Sequence, residues 1–251
     1  MPELLSGRWW LKHILVLIVL IVLISLGLWQ LRRLEERRAL NQNIQTALSQ
    51  PALSLRDAQI DPEMLHFRRV TVTGIFDNAA AIVLRNQLMD DNPGVHLITP
   101  LRLTGSEQVI LIDRGWIPRR EADLQPTDLT PYEITGEVTI EGIAYRTQTR
   151  SGWLSPLDPP LREGQTRLVN WFRVDIDRIQ QQVPYPLLPV FIKQLPDSST
   201  QPDTLPQPEA LTLDEGPHLG YALQWFSFAT ILVVTYGLFL RQQVGKSNQA
   251  Q

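Results

Sequence analysis

The sequence predicts two transmembrane α-helices, one N-terminal and one C-terminal, flanking a mainly β domain built as an antiparallel barrel or sandwich with one or two short helices. Two segments, Ile14–Leu31 and Leu219–Leu240, contain no Asp, Glu, Lys or Arg. Between them lie seven short runs rich in β-branched residues, separated by turn residues. The chain has 251 residues and a net charge of −3. That size fits one domain with additions, and the charge argues against a nucleic-acid partner.

The first apolar segment, Ile14–Leu31, is long enough to cross a bilayer. At about 1.5 Å per residue it spans roughly 27 Å, close to the hydrocarbon thickness of about 30 Å. A cleaved signal peptide is the alternative, with Arg8 and Lys12 as its basic region and Ser25–Gly27 as its cleavage site. The length of the run and the Trp-Gln-Leu-Arg-Arg border that follows favour a membrane span.

The second apolar segment, Leu219–Leu240, carries aromatic residues towards its ends, as membrane spans do at the two interfaces. A buried core helix is the alternative. Few charges follow the segment, Arg241 and Lys246, whereas acidic residues precede it. This charge difference places the C-terminus in the cytoplasm. The arginines after the first span argue for the opposite orientation, but a long segment between spans is exported largely regardless of charge.

The predicted organisation therefore has five parts. A cytoplasmic N-terminus covers residues 1–13, and the spans cover 14–31 and 219–240. The domain between them, 32–218, is exported, and 241–251 form a cytoplasmic tail. A proline-rich, mobile linker is predicted over 196–208.

The predicted domain begins with a helix, Arg32–Ser49, that continues the first span until Pro51 stops it. A second, short helix is predicted over Asp175–Val183, with Asp175 as its N-cap. Alternation and β-branched content predict the strands Arg69–Phe76, Ala81–Leu88, His96–Leu103, Gln108–Ile117, Ile134–Tyr145, Arg167–Trp171 and Pro189–Leu195.

The sequence of this domain offers little catalytic chemistry. It contains no HExxH, GxSxG, Walker or GxGxxG motif, and no cysteine for thiol chemistry or metal delivery. Copper delivery is disfavoured, since methionine is limited to three residues as well. His66 and His96 are interpreted as strand-edge residues. Asp177 belongs with Asp175 to the first turn of a helix, where the helix dipole favours negative charge.

One motif in the domain, Arg114–Pro118, follows a very apolar strand. It supports two interpretations, which the sequence leaves open. Gly115 forms a bend and Trp116 caps the end of a barrel, or Trp116 and Arg114 form an exposed docking surface.

The beginning of the second span carries a candidate ligand site. His218, Tyr221, Ala222 and Trp225 lie at helical positions i, i+3, i+4 and i+7, on one face. An imidazole, two aromatic rings and a small residue suit a flat ligand. Gln224 is a polar amide inside the span, as expected where a span packs on another helix or a ligand.

The end of the first span should lie at the same depth, because the two helices are antiparallel. It contributes Trp29, Gln30 and Arg33. Together the two helix ends offer His218 as an axial iron ligand, rings to stack on a macrocycle and Arg33 for a propionate. Interfacial anchoring by the same residue types is the simpler interpretation of this pattern.

These residues also carry a family resemblance. The chain resembles a bacterial member of the surfeit-locus protein family, assembly factors of cytochrome c oxidase. The similarity extends along nearly the whole chain through its motifs: Gly27–Leu34, Gly74–Phe76, Gly94–Leu101, Arg114–Pro118 and His218–Phe226.

The resemblance implies a membrane-tethered assembly factor rather than an enzyme. It implies assistance to haem a insertion, or to maturation of the haem-bearing oxidase subunit, with His218 as the candidate haem and metal ligand. Expected partners are that subunit, the lipid bilayer and the machinery of haem a synthesis. A scaffold that holds an oxidase subunit without contacting haem is the alternative.

Overall fold

The computed structural model describes residues 7–55, 61–118, 128–150, 152–153, 155–158, 167–197 and 205–249. The chain forms two compact units, Met1–Asn43 with Leu213–Gln251, and Ile44–Thr212. The first unit is helical and the second is mainly β.

Two long helices form the helical unit. Helix α1 runs without interruption over Gly7–Leu48, and helix α4 covers His218–Gln249. Within the described part of the chain, these are the two helices long and apolar enough to cross a membrane. Only 6% of the most apolar window of each helix is buried, whereas a core helix of a soluble protein would be mostly buried. The exposed apolar surface therefore favours membrane spans over core helices.

The two helices are antiparallel and touch at several levels. The Phe226 ring packs against Gly27, where a Cβ atom would lie 2.6 Å from the ring. At another level the Tyr236 hydroxyl lies 2.5 Å from Nδ1 of His13. Beyond the apolar stretch, Arg38 forms an ion pair of 2.9 Å with Glu215. Contacts at these separate levels fix the register of α1 against α4.

The β unit contains eight strands and two short α-helices among its described residues. The helices are α2, Pro62–Leu65, and α3, Ile176–Gln180. The strands are β1 Leu53–Ser54, β2 Arg69–Phe76, β3 Ile82–Met89, β4 Asn92–Leu103, β5 Val109–Pro118, β6 Glu137–Arg146, β7 Asn170–Trp171 and β8 Leu187–Gln194.

Five of these strands close into a barrel, in the order β2, β6, β8, β5 and β4. The ring closes where the end of β2 pairs with the end of β4, at Gly74↔Leu103 and Phe76↔Leu101. Strand β4 is long enough to pair with β3 and β5 along its length and with β2 at its end. The predicted barrel is confirmed, and closure leaves no open sheet edge in the ring.

One pairing in the ring departs from the predicted antiparallel arrangement. Strands β5 and β8 are parallel, with Leu111 opposite Phe191 and Ile112 opposite Ile192. The connection from β5 to β8 includes β6, β7 and α3. It is long enough for β8 to run beside β5 in the same direction.

Alternation along the strands divides the core into two layers. On β5, Ile110 and Ile112 point into the barrel, together with Val70, Leu101 and Ile192. Leu111 points the other way, into a cluster that includes residues of β3, β7 and α3. Successive side chains of a strand point to opposite faces of the sheet. Because both faces of β5 are buried, both sets of side chains are apolar, and the sequence of β5 is a near-continuous apolar run.

The predicted strands are confirmed as elements, with shifted ends. Strand β2 has the predicted bounds. Strand β4 starts four residues before the predicted His96, because Asp90 and Asp91 alone form the hairpin turn, with φ of 48° and 63°. The predicted helix at 175–183 is the shorter α3, capped by the Asp175 side chain.

The predicted linker 196–208 lies partly outside the described residues. Its described end is paired to the barrel: the backbone N–H groups of Trp116 and Gln207 each donate to the other residue's carbonyl, both at 2.8 Å. At Gln207 the chain is therefore part of the β structure rather than a free linker.

Candidate functional site

The candidate site begins at the first residue of α4. Nδ1 of His218 lies 2.8 Å from Oε1 of Gln30 on α1, so the imidazole is tied across the helix pair. Since the amide oxygen can only accept, Nδ1 carries the proton and donates. In the neutral imidazole with Nδ1 as the donor, the other ring nitrogen, Nε2, has a lone pair that can accept a hydrogen bond or bind a metal.

Gly216 lies beside the Nε2 edge of this ring. It adopts φ of +72°, which favours glycine, and a Cβ atom there would lie 3.5 Å from Nε2 of His218. His218 is itself only partly buried. Protein ligands of iron and zinc commonly have one ring nitrogen held by a hydrogen bond, as Nδ1 of His218 is here, and coordinate the metal through the other.

Ala222, the small residue of the predicted ligand slot, is buried in the structure. Ala222 lies one turn after His218 and is 1% exposed. The next residue on that face, Phe226, packs against Gly27. Helix packing closes around Ala222, which therefore does not line an open slot.

The aromatic residues of α4 are placed unequally. Tyr221 is 48% exposed, and Gln224 is exposed as well. Trp225 is half-buried and meets Phe228 edge-on, with ring centroids 6.0 Å apart. Only part of the predicted face is therefore directed at α1.

The remaining residues of α1 do not gather at the histidine. Trp29 is 50% exposed. Arg33 forms an exposed ion pair of 2.6 Å with Glu36 on its own helix. Of the predicted site, the structure brings His218 and Gln30 into direct contact and buries Ala222 beside them. It leaves Trp29, Arg33, Tyr221 and Gln224 on the surface of the helix pair.

Comparison with known proteins identifies the family. The sequence profile of the SURF1 family matches residues 17–230. The chain is 31% identical to a SURF1-like protein of Rickettsia felis, over 92% of this chain and 98% of that protein. It is 30% identical to a SURF1-like protein of Rickettsia bellii, over 90% of this chain and 89% of that protein. The chain is 22% identical to surfeit locus protein 1 of Rattus norvegicus, over 88% of this chain and 73% of that protein.

The chain belongs to the SURF1 family. The resemblance inferred from its motifs is thereby confirmed. The matched range includes most of α1 and the beginning of α4, with Gln30 and His218, so the candidate site belongs to the part of the chain shared with the family.

The barrel of this SURF1-family chain contains a polar pair that the sequence analysis misinterpreted. His96 is 2% exposed and lies within β4 rather than at a strand edge. Its Nδ1 lies 3.0 Å from both carboxylate oxygens of Asp113, and Asp113 also accepts a hydrogen bond from the backbone N–H of Gly115. Nε2 of His96 faces Glu209 at 3.7 Å. Polar residues inside the apolar runs of β4 and β5 were the signal that could have revealed the pair.

The Arg114–Pro118 motif is buried, which decides between its two interpretations. Trp116 is 8% exposed and its indole packs on Gly94. Gly115 has φ of +113° and lies against the backbone of Gln207, where a side chain would collide. Arg114 is 4% exposed. The motif is therefore a glycine bend with a packed tryptophan, and not an exposed docking surface.

His66, the other histidine of the β unit, lies in an aromatic cluster. It follows α2 and stacks on Phe67, with ring centroids 3.8 Å apart, and meets Tyr145 edge-on. Burial first, then the charge of Arg146, lowers the pKa of His66. Among the described residues no group of three or more His, Cys, Asp or Glu side chains is placed to hold a metal ion.

Proposed function

We propose that the chain is a membrane-tethered assembly factor for cytochrome c oxidase, and that it assists haem a insertion or maturation of the haem-bearing subunit. The observation that carries the proposal is the His218–Gln30 contact of 2.8 Å at the end of the helix pair. Membership of the SURF1 family supports the assembly role. Haem a is cargo in this proposal, received and passed on, and the protein performs no catalysis.

His218 supplies the iron ligand. Gln30 accepts from Nδ1–H and so holds the ring in the tautomer whose Nε2 can coordinate iron. Gly216 lies beside that edge of the ring. The exposed rings of Trp29 and Tyr221 and the half-buried ring of Trp225 lie within two helical turns of Gln30 or His218 in sequence and offer apolar surface to a macrocycle.

Arg33 supplies the counter-charge for a propionate. It is now paired with Glu36, but both side chains are about half-exposed or more, at 51% and 62%. Exposed ion pairs of this kind contribute about 0.2–1 kcal/mol, so Glu36 competes only weakly. A propionate that approaches Arg33 can replace Glu36 at little cost.

The charges that flank α4 support a position of this site on the outer side of the membrane. The flanks of α4 are acidic upstream and basic downstream, which orients the C-terminus to the cytoplasm. In this proposal the protein lies in the bacterial inner membrane and its β unit is periplasmic. Reporter fusions after Gln251 should be active only as cytoplasmic reporters, and insertions near Thr200 only as exported ones. An exported C-terminus would contradict this orientation.

Oxidase maturation in cells tests the proposed function directly. In cells that lack the native gene, the full chain should restore the haem a content of the oxidase, measured spectroscopically in isolated membranes. His218→Ala should restore little of it, at equal protein level. His13→Ala is the matched control, because it removes a histidine from the same helix pair at the contact with Tyr236. Equal failure of both variants would assign the effect to helix packing.

A second function, a scaffold that stabilises an oxidase subunit without contacting haem, has one observation in its favour. The helix pair is closed around Ala222 and at the Gly27–Phe226 contact. If the scaffold function is correct, His218→Ala should restore oxidase haem a content in full. Gly27→Leu, which forces the helices apart, should then abolish it.

A further inference from the structure

A buried arginine in the barrel has no counter-charge among the described residues. Arg114 lies on β5, is 4% exposed and forms no ion pair within that part of the chain. Its guanidinium carbon lies 4.9 Å from the centre of the Phe76 ring, so one face of the cation packs on an aromatic surface. Burial lowers the pKa of Arg114 to about 10.

The acids nearest in sequence and space are directed elsewhere. Asp113, the preceding residue, is held by His96 and by the backbone of Gly115. Glu133 and Asp197 line the same cavity as Arg114, and no ion pair joins Arg114 to Glu133 within the described residues. A buried guanidinium without a partner is costly, so an anion that reaches it would be stabilised.

The cavity beside Arg114 has room for such an anion. Its volume is about 280 Å³, and Arg114, Tyr132, Glu133, Gln194, Asp197 and Pro206 are among its lining residues. Since one water occupies about 30 Å³ of liquid, the cavity can hold a small organic acid. The phenol of Tyr132 and the amide of Gln194 offer additional hydrogen-bond donors.

We infer that this cavity binds a carboxylate group, paired with the guanidinium of Arg114. A carboxylate matches the planar fork of the guanidinium and carries a single charge. Inorganic phosphate binds less well, because Glu133 and Asp197 repel a dianion more strongly than a monoanion. The carboxylate belongs either to a small free acid or to an acidic side chain of a partner protein.

Ligand-observed NMR on the full chain in detergent tests the inference. The probes are acetate, glutamate blocked at both backbone ends, inorganic phosphate and neutral acetamide. Acetate and blocked glutamate should bind, acetamide should not, and phosphate should bind more weakly than acetate. Tighter binding of acetate identifies a free acid as the source, and tighter binding of blocked glutamate identifies a partner side chain.

Two arginine variants distinguish carboxylate binding in the cavity from nonspecific binding to surface charge. Arg114→Met should weaken carboxylate binding about tenfold or more, as loss of a charge-assisted hydrogen bond predicts. Arg146→Met is the matched control, since Arg146 pairs with Glu63 on the surface, and it should bind like the parent chain. Unchanged binding in Arg114→Met would overturn the inference.

A second variant keeps the test decisive if Arg114→Met does not fold. Glu133→Gln removes a negative charge from the cavity rim and should tighten binding of acetate, and of phosphate by more. Thermal unfolding should show that this variant is folded. If Glu133→Gln leaves both affinities unchanged, or if neither carboxylate binds the parent chain, the inference is wrong.

Discussion

His96 and Asp113 face each other across strands β4 and β5, with Nδ1 of the histidine 3.0 Å from each carboxylate oxygen. Both side chains are almost fully buried, at 3% and 2% exposure. The shift of register between His96 and Ile98 brings these two residues together. Such a buried pair between two strands of the barrel makes the strand register costly to change, because any slip leaves a buried polar group without its partner.

Asp113→Asn should destabilise the folded chain by about 1 to 3 kcal/mol, because it replaces an acceptor oxygen beside the buried His96 with an amide N–H and leaves buried polar groups unsatisfied. Urea unfolding of the full chain in detergent, followed by far-ultraviolet circular dichroism, measures the change. Glu141→Gln is the control, since its pair with Arg69 is exposed, and it should cost less than about 1 kcal/mol. Equal losses in both variants would show that burial of the pair has no energetic consequence.

Trp116→Ala should destabilise the barrel by about 3 to 5 kcal/mol, as expected when a large buried side chain is deleted. The indole fills the space above Gly94, and the Trp116 backbone pairs with Gln207. Trp153→Ala, at a residue 84% exposed, should have almost no effect on the same thermal unfolding curve. Normal unfolding of Trp116→Ala combined with failed oxidase maturation would instead indicate a docking role.

Gly27→Leu should weaken the α1–α4 contact by about 1 to 3 kcal/mol, because the Phe226 ring already occupies the space of a side chain. Gly237→Leu is the matched control, since no atom lies within 4 Å of its would-be Cβ. Loss of protease resistance on heating in detergent reports the difference. The assigned contact would be contradicted if the two glycine variants behaved alike.

Tyr185→Phe should cost about 1.5 to 3 kcal/mol near neutral pH, because the phenol donates to Asp77 at 2.9 Å. Burial first, then this hydrogen bond, raises the pKa of Tyr185 in the folded chain. A raised folded pKa stabilises the protein fully below the unfolded value of about 10, and that contribution is lost as the pH rises above it. The stability difference between the parent chain and Tyr185→Phe should therefore shrink above about pH 10. A pH-independent difference would rule out this linkage.

Local sequence pattern was sufficient for most of the fold. Charge-free runs revealed both long helices, and β-branched alternation revealed strands such as Arg69–Phe76. Strand β1 has only two residues, Leu53 and Ser54, which is too short for any periodicity. The parallel pairing of β5 with β8 depends on the path of the chain between them, which no local pattern records.

The candidate site was only partly predictable for a related reason. Helical spacing places His218 and Ala222 on one face, and antiparallel helices bring Gln30 to the same depth. Which side chains turn towards the partner helix depends on close packing, here Phe226 on Gly27, and this turned Trp29 outward. His96 was misinterpreted because its partner, Asp113, lies on the next strand and is brought to it by register alone.

The absorption spectrum of the purified full chain loaded with haem a tests the central claim most directly. Iron coordination requires the imidazole, so His218→Ala should lose the Soret band of the parent protein or shift it, whereas His13→Ala should keep it. Arg33→Ala should weaken haem retention by about 1.5 to 3 kcal/mol and leave the spectrum unchanged, because a propionate contact does not alter the iron ligands. If His218→Ala binds haem at unchanged occupancy with an unchanged spectrum, His218 is not the ligand and the scaffold function replaces haem handling.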